Sequence, residues 1–278
     1  MIQISFLQLL IGTFLALFVA LISYRAKVLS RSGALAATLL GIVVFGLGGI
    51  EWALLLLAFF VSSSGLSKVA KGSKQKLVEK FSKGSTRDSN QVLANGGVAA
   101  VFVLLHLFFP QQAWPWLGFA GSMAAVNSDT WATELGVLSS RGAYHILSTK
   151  KVEKGTSGAI SFLGTIASFS GGLLIAALAV IFWPDKITDF NAQLWWVSLF
   201  AIAFAGLFGS IVDSILGASL QAIYYCPTCE KETERTPFHI CGTPTTFKRG
   251  WKWLNNDWVN AVCALAGGLF MVVFALVK

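Results

Sequence analysis

The segment WPWLGFAGSMAAVNSDTWATELGVL, residues 114–138, decides what kind of molecule this is. Its first half reads as an apolar helix. Its second half, NSDTWATELG (127–136), sets an aspartate, a glutamate, an asparagine and two threonines at the end of that apolar run. An ionised carboxylate in hydrocarbon is costly unless it finds a cation, a donor or water, so such residues usually mark a functional site. The alternative is a helix end emerging into water, and the choice depends on where a membrane would lie. Of 278 residues, 55% are hydrophobic and 12% charged, about half the charged share of a soluble domain. The chain therefore reads as an all-α, polytopic integral membrane protein.

A spanning helix needs about 20 mostly apolar residues, and eight such segments can be read, roughly at 3–23, 33–49, 52–66, 92–109, 114–138, 158–183, 194–223 and 258–277. The first lacks a basic leader and a cleavage site, so it reads as a retained helix with its N-terminus outside. Eight spans put the loops 24–32, 67–91, 139–157 and 224–257 on one side. These hold three, seven, four and five basic residues, nineteen of the chain's 21 Lys and Arg. The positive-inside rule makes that side cytoplasmic and leaves both termini outside. Only Lys186 and Lys278 fall elsewhere. The formal net charge of +8 is explained by orientation and anionic headgroups, without nucleic acid. The sequence reads as one transmembrane domain, 1–278, with two cytoplasmic insertions at 67–91 and 224–257.

The polar residues of the spans gather in the same leaflet. Ser62, Ser63 and Ser64 close the third span, Gln91 and Asn95 open the fourth, and Asn127, Asp129, Thr130 and Glu134 close the fifth. Lys154, Thr156 and Ser157 open the sixth, Asp213, Ser214 and Gln221 lie in the seventh, and Asp257 and Asn260 open the eighth. The outer ends show little polarity outside short turns. This asymmetry predicts a polar cavity facing the cytoplasm. Asn127, Thr130 and Glu134 share a helix face, whereas Asp129 and Glu134 point about 140° apart on a regular helix. Either the helix breaks there or the two acids play different parts. Asp213, about two turns inside its span, needs a partner: a basic side chain at a helix end, or a divalent metal shared with Asp129.

KKVEKGTSG (150–158) is read as a lysine followed by Gly155, Thr156, Ser157 and Gly158 at the start of a helix. Unpaired N–H groups, a positive dipole end and hydroxyls there suit phosphate, although the Walker spacing is absent. Carboxylates for Mg²⁺, a glycine-rich helix start and basic residues are the parts that phosphoryl transfer uses. Among the four cysteines, Cys263 falls in the last span and reads as core. Cys226, Cys229, His239 and Cys241 lie in a loop assigned to the cytoplasm, where disulfides are disfavoured; they fit a structural Zn²⁺ site, free thiols or a redox pair. His106 reads as a core histidine.

SSSGLSK (62–68), QVLANGG (91–97), NSDTWATELG (127–136), KGTSGAISFLG (154–164), GSIVDSILGASLQ (209–221), HICG (239–242) and NNDWVN (255–260) together resemble the integral membrane family that contains phytyl phosphate kinase. The resemblance runs in order over most of the chain. A looser likeness extends to dolichol and phytol kinases and to phosphatidate cytidylyltransferases, although the second glycine of the cytidylyltransferase motif is missing after Gly136. The resemblance implies a kinase that converts a prenyl monophosphate to the diphosphate, with CTP or another nucleoside triphosphate as donor and Mg²⁺ as cofactor. In that reading Asp129 and Asp213 hold Mg²⁺, Glu134 orients a metal-bound water or second ion, and Lys154, Thr156 and Ser157 hold phosphoryl oxygens. Gly155, Asn95, Asn127, Thr130, Ser214, Gln221, Asp257 and Asn260 complete the substrate and nucleotide site. Arg25, Lys27 and Arg31 neutralise the lipid headgroup. Two rivals use similar parts: a transporter or flippase, which calls for polar groups reaching both faces, and a CTP-dependent lipid cytidylyltransferase.

Overall fold

The computed structural model describes residues 5–69, 86–185, 187–188 and 195–277. Five lysines of the second basic loop (71, 74, 76, 80 and 83), together with Lys186 and Lys278, lie outside these residues. Eight helices make up the described chain. They are α1 (Phe6–Arg25), α2 (Arg31–Gly41, continued by a π-helical turn, Ile42–Gly48), α3 (Ile50–Val69) and α4 (Ser89–Phe108), then α5 (Ala113–Gly136), α6 (Phe162–Ile181), α7 (Trp195–Ser219) and α8 (Asn256–Val277). All but α5 are long and apolar enough to cross a membrane. Their outward faces carry exposed Phe14, Phe18, Leu39, Phe200, Phe204 and Val273, as lipid-facing helices should. The polytopic helical architecture expected from the sequence is present.

The helix α5 is the axis of the bundle. Every residue from Pro115 to Ser128 is buried, and α3, α4, α6, α7 and α8 all pack on it. Small residues make this enclosure possible, because without a hydrophobic drive inside lipid, helices associate through close backbone approach. A Cβ on Gly206 would stand 2.5 Å from Ser128 Oγ, and one on Gly209 would stand 2.4 Å from the Ala125 Cβ. The polar second half of α5, Asn127 to Glu134, lowers its mean hydropathy, which explains why it escapes a length-and-hydropathy criterion while lying deepest.

Sequence-local signals set most helix starts. Ser5, Ser30 and Ser161 accept backbone N–H groups at the first turns of α1, α2 and α6, and Asp88 with Gln91 forms a capping box on α4. The π-turn leaves the Gly46 carbonyl off the regular ladder, and Gln8 Nε2 donates to it at 3.1 Å.

The described parts of the four basic loops lie together at one end. Ser30 N–H donates to the Arg87 carbonyl (2.9 Å) and Arg87 N–H to the Val28 carbonyl (2.9 Å), joining the first loop to the second. Ser67 donates to Glu134 in the last turn of α5, and Ser157 to Gln221 just past α7, tying the second and third loops to the helix ends there. Two of these loops are more structured than a purely helical reading foresees. Residues 143–160 form a three-stranded antiparallel sheet of β1 (Ala143–His145), β2 (Lys151–Val152) and β3 (Ala159–Ile160), in the order β2-β1-β3. Residues 223–249 form a second, of β4 (Ile223–Cys226), β5 (Lys231–Thr233) and β6 (Thr246–Arg249), in the order β5-β4-β6.

One expectation is overturned here. The segment 154–158 is not a helix start: it is the connection between β2 and β3, and α6 begins at Phe162 behind its Ser161 cap. Local geometry explains it. Gly155 (φ 75°) and Gly158 (φ 77°) both occupy the left-handed region, which interrupts a helix. Gly158 also packs on the end of α7, where an added Cβ would meet the Ala218 Cβ at 2.4 Å.

Candidate active site

The two acids of NSDTWATELG take different sides of an unbroken α5. Glu134 is buried and accepts the Ser67 hydroxyl at 2.7 Å. On the same face Asn127, fully buried, donates to the Gly171 carbonyl (2.8 Å) and accepts from Ser62 Oγ (3.0 Å). Trp131 Nε1 also donates to Ser62 Oγ, at 3.3 Å. This face therefore pins α3 and α6 to α5. Thr130, expected on it, turns its hydroxyl to its own helix at the Val126 carbonyl (2.8 Å).

Sequence reasoning missed the cation of this cluster, Arg87. Its Nη2 donates to Ser63 Oγ at 2.9 Å, and its guanidinium lies 5.3 Å from the Phe59 ring and 5.9 Å from the Phe60 ring. Burial pulls its pKa down to about 10 while Glu134 holds it up, so it remains charged at neutral pH. The signal was weak: an arginine just before a helix N-cap, in a loop with six other basic residues, reads as a topology charge.

The opposite face of α5 carries Asp129, which acts electrostatically on Asp213 of α7. Both carboxylates also act electrostatically on Cys263 of α8, and α5, α7 and α8 pack against one another. Asp213 Oδ2 is buried and has no hydrogen-bond partner among the described residues. A third carboxylate, Glu234, also acts on Asp213 and was not foreseen. It follows β5, far from any span, and no spacing rule connects it to a helix end. Gln221 Nε2 donates to Glu234 Oε1 (2.8 Å), and Gln221 Oε1 accepts from Ser157 Oγ (2.9 Å). The chain Ser157–Gln221–Glu234 thus ties the 154–158 turn and the second sheet to the end of α7. Arg249 of β6 completes that junction by donating to the Gly217 and Ala218 carbonyls at 3.0–3.2 Å, a cation on the carbonyl end of a helix.

Lys154, Gly155 and Thr156 are half-buried in the same turn, where the Thr156 N–H donates to the Glu153 carbonyl. The backbone of this turn is therefore partly committed, and side chains rather than a helix dipole are what it offers phosphate. Ser214 and Asp257 are half-buried, and Asn260 lies one turn before Cys263 on α8. Arg25, Lys27 and Arg31 are not drawn in. They are exposed at the α1–α2 corner, on the α4 side, with Arg31 Nε donating to the Tyr24 hydroxyl.

The Cys/His motif forms a compact cluster. The Sγ atoms of Cys226, Cys229 and Cys241 and a His239 ring nitrogen all lie within 4.8 Å of one another. Cys226 and Cys241 Sγ are 3.6 Å apart, and His239 Nδ1 is 3.3 Å from Cys241 Sγ. A tetrahedral zinc with Zn–S near 2.3 Å needs ligand separations of roughly 3.8 Å, so the donor set fits that ion. Hydrogen bonding with Thr243, then His239, pulls the Cys241 thiol down to about 6, while Cys229 facing it is pushed up to about 11.

A multi-helix membrane bundle with acids converging at one end, and a Cys/His ribbon folded over that end, defines a class of integral membrane protein. Residues 14–268 match the family described as Integral membrane protein DUF92, and the chain belongs to it. It is 32% identical to Protein PGR of Arabidopsis thaliana, covering 93% of each chain. It is 27% identical to an uncharacterized membrane protein of Methanocaldococcus jannaschii over 97% of this chain and 95% of that one. It is 26% identical to Protein VTE6, chloroplastic, of Arabidopsis thaliana over 88% of this chain and 65% of that one. No solved structure matches.

Proposed function

We propose that the protein is a prenyl phosphate kinase of the membrane, converting a phytyl- or geranylgeranyl-type monophosphate to the diphosphate with CTP or another nucleoside triphosphate. The observation that carries this reading is the convergence of Asp129 and Asp213 from α5 and α7, with the Ser157–Gln221–Glu234 chain and the Lys154 turn beside them. The resemblance of the sequence motifs to the family that contains phytyl phosphate kinase points to the same chemistry.

A buried Asp213 oxygen with no hydrogen-bond partner among the described residues, under the field of a second carboxylate, is the donor set that a hard divalent cation takes. Asp129 and Asp213 would hold Mg²⁺, which when bound neutralises triphosphate charge. Lys154, Thr156 and Ser157 would hold phosphoryl oxygens and fix the donor's orientation. A phosphate oxygen of the lipid attacks the γ-phosphorus, the bond to the β,γ-bridging oxygen breaks, and the nucleoside diphosphate leaves. The nucleophile is already anionic, so no strong general base is required. The positive-inside rule puts this end of the bundle in the cytoplasm, with both termini outside.

The test is incubation of purified, detergent-solubilised protein with prenyl monophosphates, Mg²⁺ and each labelled triphosphate, followed by product identification. Prenyl diphosphate with stoichiometric nucleoside diphosphate supports the reading. Pyrophosphate release with a cytidylated lipid establishes the cytidylyltransferase instead, and absence of any product overturns both.

A further inference from the structure

Three tryptophans stand together where the Cys/His ribbon runs into α8. Trp251, Trp253 and Trp258 are 50%, 61% and 56% exposed, although indoles are highly buried on average in folded proteins. The Trp251 and Trp253 rings stack with centroids 5.6 Å apart, and Trp253 meets Trp258 edge-on at 6.4 Å. Backbone contacts hold this arrangement in place. Gly250, at φ 91°, turns the chain out of β6. Trp251 N–H then donates to the Leu220 carbonyl (2.8 Å) and Ala222 N–H to the Leu254 carbonyl (2.9 Å), with Leu254 buried beneath. Asn255 Oδ1 accepts the Trp258 N–H at 3.2 Å, just before α8 begins. The exposed indoles are therefore fixed between the end of α7 and the start of α8.

Their face and their depth indicate what covers them. On α8, Trp258, Leu265, Leu269 and Leu276 are all exposed, and spacings of seven, four and seven put them on one face. That is the outward face of a helix apolar enough to span a membrane, and the aromatic cluster continues it past the helix end. At the opposite end of the neighbouring helix, exposed Trp195 and Trp196 open α7. The 25 residues of α7 measure about 37 Å, between the roughly 30 Å of a hydrocarbon core and the roughly 45 Å of a bilayer with both headgroup layers. Tryptophans at both ends of such a length are the pattern of the two membrane interfaces. The charge agrees. Lys252 is exposed between the two stacked indoles, with its ammonium 5.5 Å from the Phe247 ring centroid. Lys248 is paired with Glu232 at 2.9 Å, so Lys252 is the cation placed to reach a lipid phosphate along its flexible stem.

We infer that this surface anchors the ribbon to the bilayer: Trp251, Trp253 and Trp258 lie in the headgroup layer, and Lys252 meets anionic lipid phosphate there. The ribbon then rests against the membrane instead of standing free in water. Arg249 and Gly250, one step before the cluster, pack on the last carbonyls of α7 and on Gln221, so the anchor also holds the ribbon over the end of α7 at headgroup depth. None of this rests on the kinase reading.

The experiment uses full-length protein labelled with 5-fluorotryptophan in nanodiscs of phosphatidylcholine and phosphatidylglycerol. The three fluorine resonances are assigned by Trp251→Phe, Trp253→Phe and Trp258→Phe, and each is exposed in turn to a lipid spin-labelled at its headgroup and to a water-soluble gadolinium chelate. We expect the lipid label to broaden all three resonances and the chelate to leave them sharp. Broadening of Trp251 and Trp253 by the chelate but not by the lipid label overturns the anchor. Protection of these two from both agents also overturns it, because protein, such as a second copy of the chain, then covers the surface. Lys252→Glu should lose the lipid-label broadening at Trp253 in discs that contain phosphatidylglycerol and keep it in discs of phosphatidylcholine alone. The Trp258 resonance, carried by α8 itself, should stay broadened throughout and reports that the variant is folded and inserted. Equal behaviour of Lys252→Glu and wild type in both lipids removes the anionic headgroup from the proposal.

Discussion

Asp129 and Glu134 stand five residues apart on one continuous helix and serve opposite sides of the bundle. Glu134 is held by the Ser67 hydroxyl at 2.7 Å on the α3 side, under the field of Arg87, and Asp129 acts on Asp213 of α7. The 100° step of an α-helix accomplishes this without a break. Two carboxylates from one motif, about 7.5 Å apart along the axis, can therefore hold separate partners on opposite faces.

Replacing Asp129 or Asp213 by Asn tests the cation role. If both carboxylates hold the metal on the triphosphate, removing either charge should lower kcat by about 10²–10³, the usual size of a lost electrostatic contact to the transition state. Folding should survive, because Asn is nearly isosteric and brings no charge to be matched inside the bundle. The measurement is diphosphate formation by variants matched for size-exclusion profile. Near wild-type turnover would remove both acids from the mechanism.

Asn127 gives the contrasting outcome. It is fully buried, and both ends of its amide are engaged, by Gly171 and Ser62. Asn127→Ala should destabilise the bundle by about 1–3 kcal/mol, because the Gly171 carbonyl and the Ser62 hydroxyl each lose a buried partner. Turnover per folded molecule should fall little. Thermal unfolding in detergent, measured alongside activity, separates the two effects, and a large loss of kcat at unchanged stability would return Asn127 to the substrate and nucleotide site.

The bundle was legible because hydrocarbon imposes length, period and a charge bias that sequence displays directly. So were Asp129 and Asp213, since an acid inside an apolar run has few innocent explanations. Arg87 and Glu234 were hidden for a common reason. Each lies in a polar loop, where a charge reports topology but names no partner until the fold brings the loop over the helix ends. The KGTSG segment misled because glycine followed by hydroxyls suits both a helix start and a tight turn, and the left-handed φ of Gly155 and Gly158 settles it as a turn.

The ribbon thiols make a pH prediction for metal-free protein. The thiolate is the reactive form, so alkylation of Cys241 should rise through a midpoint of about 6, while Cys229 stays slow until the pH approaches about 11. Mass spectrometry of pulse-alkylated protein after chelation reads both. As purified, the protein should carry about one zinc per chain, and Cys226→Ser with Cys229→Ser should abolish it. Equal reactivity of the two thiols would show that the Thr243 and His239 contacts do not set them apart.

Orientation is tested by substituted cysteines in intact cells. Sites in 67–91 and 139–157 should react only with reagents that enter the cytoplasm, and a site beside Asp185 should react from outside. An outside label in 139–157 would invert the bundle, and the triphosphate would then have to be bound on the wrong side of the membrane.

Glu234→Gln isolates the contribution of the ribbon to the site. Its Oε1 accepts from Gln221 Nε2 at 2.8 Å, and a glutamine amide oxygen can accept the same bond, so the Ser157–Gln221 junction should stay in place. What the substitution removes is a negative charge acting on Asp213. One unit charge several ångströms from a divalent ion, at an effective dielectric near 20, is worth enough to shift ion affinity on the order of tenfold. The Mg²⁺ concentration for half-maximal turnover should therefore rise by about that factor, while kcat at saturating Mg²⁺ returns close to wild type. A purely structural role predicts a different pattern, a lower kcat at every Mg²⁺ concentration that added ion does not restore. Glu234→Ala, which loses the hydrogen bond as well as the charge, should show both changes together. If Glu234→Gln leaves the Mg²⁺ dependence untouched, the ribbon serves only to cover the end of α7, and the cation site is completed by the helices alone.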